Sequence, residues 1–415
     1  MRKVLLALLL LAVSAPLAAQ PKRVLFVGNS YTYVNDLPGT IAAIANNMGD
    51  TISHTSVTPG GCTFSQHCSG EAMTTICQGG WDVVVLQEQS QLPSFPQSQV
   101  ENECLPYAAR LVDSVYAHNP CAEPMFYMTW GRRDGDAQNA RYFPVLGSYW
   151  GMDSMLCERY TYMAEANDAS LCPVGRVWRY LRTYHPDINL YDSDGSHPSV
   201  AGTYAAACAF YVMLFQRNPG AITYRGSLPF ETAQTIREAV RQVVFLDLPR
   251  WRRPQPQAAF SWSTEGLTLH LADHSLNATD RHWSFGDGET LATTDTLVSH
   301  TYADSGNYNL MFVASRHCMT DTMSQTVTFG TVGLTAVSLS DGVRLFPNPA
   351  HETLTVLLPV QQCWATLFAL DGRCLWHRSL SGPHAVVPLD GLPAGLYLLQ
   401  VSTPTGIVQK PFIVE

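Results

Sequence analysis

Charged side chains are scarce in this chain. Asp, Glu, Lys and Arg make up 14% of its 415 residues, and 34 acids against 25 bases give a formal charge of −9. No basic stripe follows from that balance, and clusters such as Arg250-Trp251-Arg252-Arg253 are too short to track a phosphate backbone, so nucleic acid is not an expected partner. Long apolar runs are missing too. The most hydrophobic stretch, residues 4–13, falls short of the roughly 20 residues that a membrane span needs. With Arg2 and Lys3 ahead of it and Ser14, Ala15, Ala18 and Ala19 behind it, the stretch has the tripartite form of a secretory signal, residues 1–20. No transmembrane segment is expected after its removal, and no cysteine follows it to carry a lipid anchor.

Metal-ligand spacing is equally sparse. Cys62, His67 and Cys68 lie close together, but no second pair has a ligand-like spacing, so a metal site is not expected. Eight of the eleven cysteines (62, 68, 77, 104, 121, 157, 172 and 208) fall in the first 245 residues. Export favours disulfides among them, with buried thiols as the alternative and at least one thiol left over.

The 46% hydrophobic share and the length leave material for two to four domains. Between residues 22 and 248, short β-rich runs alternate with amphipathic segments. Strands are predicted at 23–27, 81–86 and 125–129, and helices at 37–48, 107–117, 155–167 and 200–215, giving an α/β fold with a parallel sheet covered by helices. In such sheets active groups collect at the carboxyl ends of the strands. Ser30, Gln87 and the Trp130 region all follow such ends.

Two short stretches carry the chemistry. Gly28-Asn29-Ser30 closes the first strand, and Asp194-Gly195-Ser196-His197 puts a carboxylate three residues before an imidazole. A serine hydroxyl needs a general base within hydrogen-bond reach, and the base needs a partner that fixes its tautomer. The competing reading is structural, with Asn29, Ser30, Asp194 and Ser196 capping helices. Past another strand, Thr129-Trp130-Gly131-Arg132-Arg133-Asp134-Gly135 is either a pocket wall, with Trp130 stacking on a sugar and Arg132 binding an acid group, or a surface loop.

Beyond residue 248 the character changes. Three prolines at 249, 254 and 256 disfavour helix and strand alike, which marks 249–256 as a linker. After it, alternating strands with Gly, Asn and Asp turns replace the helical periodicity.

Three resemblances follow from these motifs. Gly28-Asn29-Ser30 and Asp194-x-x-His197 with Pro198 make residues 21–248 resemble the SGNH (GDSL-type) hydrolase superfamily, whose fold is a three-layer α/β/α, flavodoxin-like domain. The resemblance implies Ser30 as nucleophile, His197 as general base and acid, and Asp194 as its orienter, while Asp192 misses the family spacing. It also implies an oxyanion hole from the Ser30 N–H, a glycine N–H of Thr58-Pro59-Gly60-Gly61 and a side-chain amide. Gly61 is taken ahead of Gly60. The family's Gly-x-Asn-Asp block is replaced here by Leu86-Gln87-Glu88-Gln89-Ser90, so Gln87, with Gln89 in reserve, is expected to supply the amide.

Residues 257–330 resemble a PKD domain through Trp283-Ser284-Phe285-Gly286-Asp287-Gly288 and His300-Thr301-Tyr302-Ala303-Asp304-Ser305-Gly306. After a 331–340 linker, residues 341–415 resemble the type IX secretion C-terminal sorting domain of Bacteroidetes. They do so through Leu345-Phe346-Pro347-Asn348-Pro349-Ala350, the Asp371-Gly372 turn, Leu392-Pro393-Ala394-Gly395-Leu396-Tyr397 and Lys410-Pro411-Phe412-Ile413-Val414. Both are expected to be all-β immunoglobulin-like sandwiches. Together these readings imply a secreted or surface-attached serine esterase that needs no cofactor. Its expected partners are the type IX machinery and an ester substrate, with O-acyl groups on polysaccharide or glycoconjugate ahead of lipid acyl esters. A non-catalytic adhesin is the rival of another class.

Overall fold

The computed structural model describes residues 20–330, 343–358, 362–369, 373–403 and 406–415. All but the last residue of the expected signal, the 331–340 linker and the Asp371-Gly372 turn lie outside them. The chain divides into two compact units, 1–327 and 328–415.

The first unit opens with a five-stranded parallel sheet of order β2-β1-β3-β4-β5. Its strands are β1 (Lys22–Val27), β2 (Ile52–Val57), β3 (Val83–Leu86), β4 (Glu123–Tyr127) and β5 (Ser170–Cys172). Val24–Val27 and Val83–Leu86 are continuous apolar runs because both faces of these central strands are covered. The helices after β1 and β5, Leu37–Asn47 and Val200–Phe215, pack on each other. Those after β3 and β4, Leu105–His118 and Tyr149–Ala166, form another packed group. This is the three-layer α/β/α arrangement expected, and its strand order reverses between β1 and β3, where such folds place ligands.

A sandwich follows within the same unit, built from β6 (Phe260–Glu265), β7 (Thr268–Asp273), β8 (Asp280–Ser284), β9 (Thr290–Thr293), β10 (Leu297–Thr301), β11 (Gly306–Arg316) and β12 (Met319–Phe329). Its sheets run β10-β7-β6 and β12-β11-β8-β9. Trp283 stacks on Phe312 at 4.0 Å with Phe260 edge-on, which fills the space between them. Asp287 accepts from Glu289 N at 3.0 Å and from His300 Nε2 at 2.7 Å.

The segment read as a free linker is not one. Leu248–Trp251 forms a helical turn, since Pro249 sits in the first turn where no N–H is required, and Trp251 and Arg253 are buried. Arg253 donates from its backbone to Ser170 Oγ at 3.0 Å. The β11–β12 turn also docks on the α/β domain: Arg316 Nε reaches Asp168 Oδ2 at 2.5 Å, and His317 stacks on Tyr116 at 3.9 Å. Cys318 beside them forms a disulfide with Cys121. The expected bridges among the eight N-terminal cysteines are therefore corrected to a single bridge that joins one of them to the sandwich, and the other nine cysteines are free thiols.

The second unit holds two antiparallel sheets. One contains Arg344–Phe346, Thr353–Leu357 and His384–Pro388, and the other Cys374–Ser381, Gln362–Ala369, Gly395–Thr403 and Gly406–Val414. Leu354, Val356, Leu367, Leu399 and Val401 are fully buried in its core. No helix among the described residues is long and apolar enough to cross a membrane.

Candidate active site

β1 delivers Gly28, Asn29 and Ser30 at its carboxyl end, next to the ends of β2 and β3. A Cβ on Gly28 would come within 2.6 Å of Gln87 Oε1 and of Thr32 Oγ1, so only glycine lets this turn close on Gln87. Asn29 is buried and caps the short helix Ser30–Tyr33, its Oδ1 accepting from Tyr31 N at 3.3 Å. Its Nδ2 donates to Cys62 O at 3.1 Å and Glu88 O at 3.3 Å, which ties the turns after β2 and β3 to the nucleophile's own turn.

The second stretch arrives ahead of the helix Val200–Phe215, capped by Ser199. His197 Nε2 lies 2.8 Å from Ser30 Oγ, and His197 Nδ1 donates to Asp194 Oδ2 at 2.5 Å. That bond puts the proton on Nδ1 and turns the Nε2 lone pair to the serine hydroxyl. Asp194 Oδ1 accepts the backbone N–H groups of Ser196 and His197, each at 2.9 Å. Partial burial works to raise the Asp194 pKa, but these hydrogen bonds outweigh it and hold the carboxyl below its ordinary value. Gly195 takes φ of 69°, a left-handed conformation that glycine adopts without steric cost, and so lets the turn bring Asp194 back onto its own histidine.

An aromatic pillar props this turn from beneath. Trp178 stacks on Trp130 at 3.8 Å and Trp130 on Tyr31 at 4.7 Å, both nearly parallel, and Tyr31 meets the His197 ring edge-on at 5.5 Å. Trp130 Nε1 donates to Ser196 O at 3.1 Å, and Tyr31 OH bonds Ser196 Oγ at 2.7 Å. The expectation that Trp130 offers a face to a sugar is thereby corrected. The residue has 0% exposure, with both faces stacked on protein rings.

The residues expected as oxyanion donors divide. No hydrogen-bond partner of the Ser30 or Gly61 N–H occurs among the described residues, and Gly61 sits exposed in the turn after β2 with φ of 68°. Gly60 shares that turn and is exposed as well. Gln87 is corrected: it is fully buried, and its amide is already used. Its Oε1 accepts from Asn29 N and Thr32 Oγ1, each at 2.9 Å, and its Nε2 donates to Asn29 Oδ1 at 2.9 Å and to Glu88 O. Gln87 braces the nucleophile turn from behind. Gln89 is half-buried, and its Nε2 makes only long contacts, 3.4 Å to Ser90 Oγ and 3.3 Å to Gln91 Oε1.

Glu88 was not singled out in the sequence. Its carboxylate accepts Phe64 N at 3.0 and 3.1 Å and Gln89 N at 2.6 Å, linking the turn regions after β2 and β3. Burial raises its pKa to about 7 against the pull of those N–H donors and the Cys104 thiol. The zinc-like trio points elsewhere: His67 Nε2 donates to Gly28 O at 2.9 Å, and the Cys62 and Cys68 thiols approach the carbonyls of Thr63 and Tyr107. Arg132 lies past the end of β4, its side chain 28% exposed and its Nη1 3.8 Å from Asp136 Oδ1.

Comparison with known proteins adds the following. Residues 254–330 match the family model for the PKD domain, and residues 344–415 match that for the secretion system C-terminal sorting domain. The sorting domain marks the chain for type IX secretion and cell-surface attachment. No protein with a curated description matches the chain. Among solved structures, it is similar to a DUF4886 family protein from Bacteroides uniformis (17% identity, 54% of this chain and 94% of that one, TM-score 0.47). It is also similar to a putative SGNH hydrolase from Slackia heliotrinireducens (27% identity, 46% and 97%, TM-score 0.38). A third is the PKD1 domain of the Vibrio cholerae metalloprotease PrtV (26% identity, 19% and 100%, TM-score 0.17).

Proposed function

We propose that residues 21–248 form a serine esterase, joined through 249–256 to a PKD-type sandwich at 257–330 and, past a 331–340 linker, to a sorting domain at 341–415. The observation that carries this reading is the unbroken relay from Ser30 Oγ through His197 to Asp194, at 2.8 and 2.5 Å. As Ser30 Oγ bonds to the ester carbonyl carbon, His197 Nε2 takes its proton, and the carbonyl oxygen becomes an oxyanion. The Ser30 and Gly61 N–H groups and the Gln89 amide are its proposed donors. The imidazolium then protonates the departing alcohol as the carbon–oxygen bond breaks, and water cleaves the acyl-enzyme by the same steps in reverse. Asp194 stays ionised throughout and stabilises the charged histidine.

The substrate class we favour is an O-acyl group on a carbohydrate or glycoconjugate, which suits an exported enzyme carrying an accessory sandwich. The test compares the secreted chain with Ser30→Ala on acetylated polysaccharide and on 4-nitrophenyl esters of increasing chain length. Turnover that falls at least about 10³-fold in Ser30→Ala, with preference for acetyl, is expected. Preference for long chains moves the substrate to lipid. Wild-type turnover no higher than that of Ser30→Ala sinks the esterase and leaves the adhesin.

A further inference from the structure

Arg132 is charged and half-buried, and it follows the carboxyl end of a strand at the same edge of the sheet as Ser30. β4 neighbours β3 and lies one strand further from β1, and all three are parallel, so their carboxyl ends bring Ser30, Gln89 and Arg132 to one edge of the sheet. The backbone there is fixed: Tyr191 OH donates to Gly131 O at 2.6 Å, and Gly135 N to Arg132 O at 3.0 Å. The Arg132 cation acts on Tyr31, the residue after the nucleophile, whose hydroxyl bonds Ser196 next to His197.

The carboxylate paired with this cation holds it only loosely. Asp136 is buried, and its Oδ2 accepts from Gln91 Nε2 at 2.5 Å and Asn139 Nδ2 at 2.7 Å, while its Oδ1 accepts from Asn139 N at 3.3 Å. Arg132 remains 3.8 Å away, beyond hydrogen-bond distance, and its Nε is buried without a partner among the described residues. A buried donor left unmade is costly and calls for a reason, and the part of the guanidinium still exposed is free to take a further partner. Neighbouring Arg133 differs, since its Nε pairs with Asp134 Oδ2 at 2.9 Å in solvent. A planar, partly exposed guanidinium matches a carboxylate in two-pronged geometry.

We infer that Arg132 is a specificity residue that selects esters whose substrate also carries a carboxylate, such as O-acylated acidic sugars. This inference rests on the esterase reading above. The carboxylate belongs either to the alcohol part, as in an acetylated uronic acid, or to the acyl part, as in a dicarboxylate half-ester.

Two substrate pairs tell these sources apart: acetylated methyl glucuronoside against acetylated methyl glucoside, and 4-nitrophenyl hemiglutarate against 4-nitrophenyl butyrate. In one pair the wild-type chain should favour the acid by about 10- to 100-fold in kcat/KM, the size of one charge-assisted contact. Arg132→Met should bring that ratio close to one, mainly through KM, and Arg132→Lys should keep part of it. Arg132→Gln repeats the measurement if Arg132→Met fails to fold. Wild-type ratios near one in both pairs, or a ratio that survives Arg132→Met, would overturn the inference while leaving the esterase standing. If wild type turns over no ester, the esterase fails instead. Calorimetry with Ser30→Ala then decides independently: methyl glucuronoside and glutarate are titrated, and binding of neither overturns the role of Arg132.

Discussion

Replacing Glu88 by Gln should remove a contribution to the stability of the α/β domain that wild type loses as pH rises. The carboxyl is completely buried, and its pKa in the folded protein is raised from 4.5 to about 7. The folded state therefore holds a proton that the unfolded chain releases above pH 4.5. The stability this contributes is fully present below 4.5, is lost progressively as pH rises to 7, and is gone above it. At about 1.4 kcal/mol per pH unit, the full effect is about 3 kcal/mol, most of which falls between pH 5 and pH 8. Gln suits the site: Oε1 alone already receives Phe64 N and Gln89 N, so an amide nitrogen can take the place of Oε2. Urea unfolding at both pH values, followed by the fluorescence of the buried tryptophans, measures the wild-type minus variant difference, in which other titrating groups cancel. That difference should move against wild type by about 2–3 kcal/mol between pH 5 and 8. A difference that stays constant across the range would show that Glu88 is ionised throughout, and the burial reasoning would be refuted.

Two further outcomes follow from the structure. Trp130→Phe keeps a ring in the stack but removes the donor to Ser196 O, so it should lower kcat about 10-fold with KM little changed and leave Ser30 reactive toward a phosphonate probe; an unaltered kcat would mean that the pillar does not hold the catalytic turn. The Cys121–Cys318 bridge closes 197 residues of sequence, which restricts the unfolded chain by about 5 kcal/mol. The double variant Cys121→Ser, Cys318→Ser should therefore melt about 5–10 °C lower, and a melting temperature within a degree of wild type would show that the Asp168 and Tyr116 contacts suffice alone.

Much of the first domain was legible because its central strands are buried on both faces. Val24–Val27 and Val83–Leu86 carry uninterrupted apolar runs that need no neighbour to be recognised. β2 escaped because it is an edge strand: Ile-Ser-His-Thr-Ser-Val has apolar residues only at its ends, and pairing with β1 rather than its own pattern makes it a strand. β5 has three residues, too few to show a period. The proline segment misled in the opposite direction, since proline composition reports local breaks but says nothing of the burial of Trp251 and Arg253.

Within the site the same division holds between chemistry and direction. Ser30, Asp194 and His197 were legible because few roles need a carboxylate and an imidazole at that spacing near a serine. Their supports depend on contacts that sequence spacing does not contain. Thr32 meets Gln87 across 55 residues and Tyr31 meets Ser196 across 165, and each partner is an ordinary polar or aromatic residue where it stands. A glutamine after a buried strand is an oxyanion donor if its amide faces outward and a brace if it faces the nucleophile turn. Gly28 decides between them here, because the missing side chain is what lets Gln87 Oε1 reach the N–H of Asn29. Gln89 is then the proposed side-chain donor: its Nε2 contacts are long enough to be exchanged for a better acceptor, while its Oε1 stays held by Gln91 N at 2.7 Å and Leu92 N at 3.0 Å.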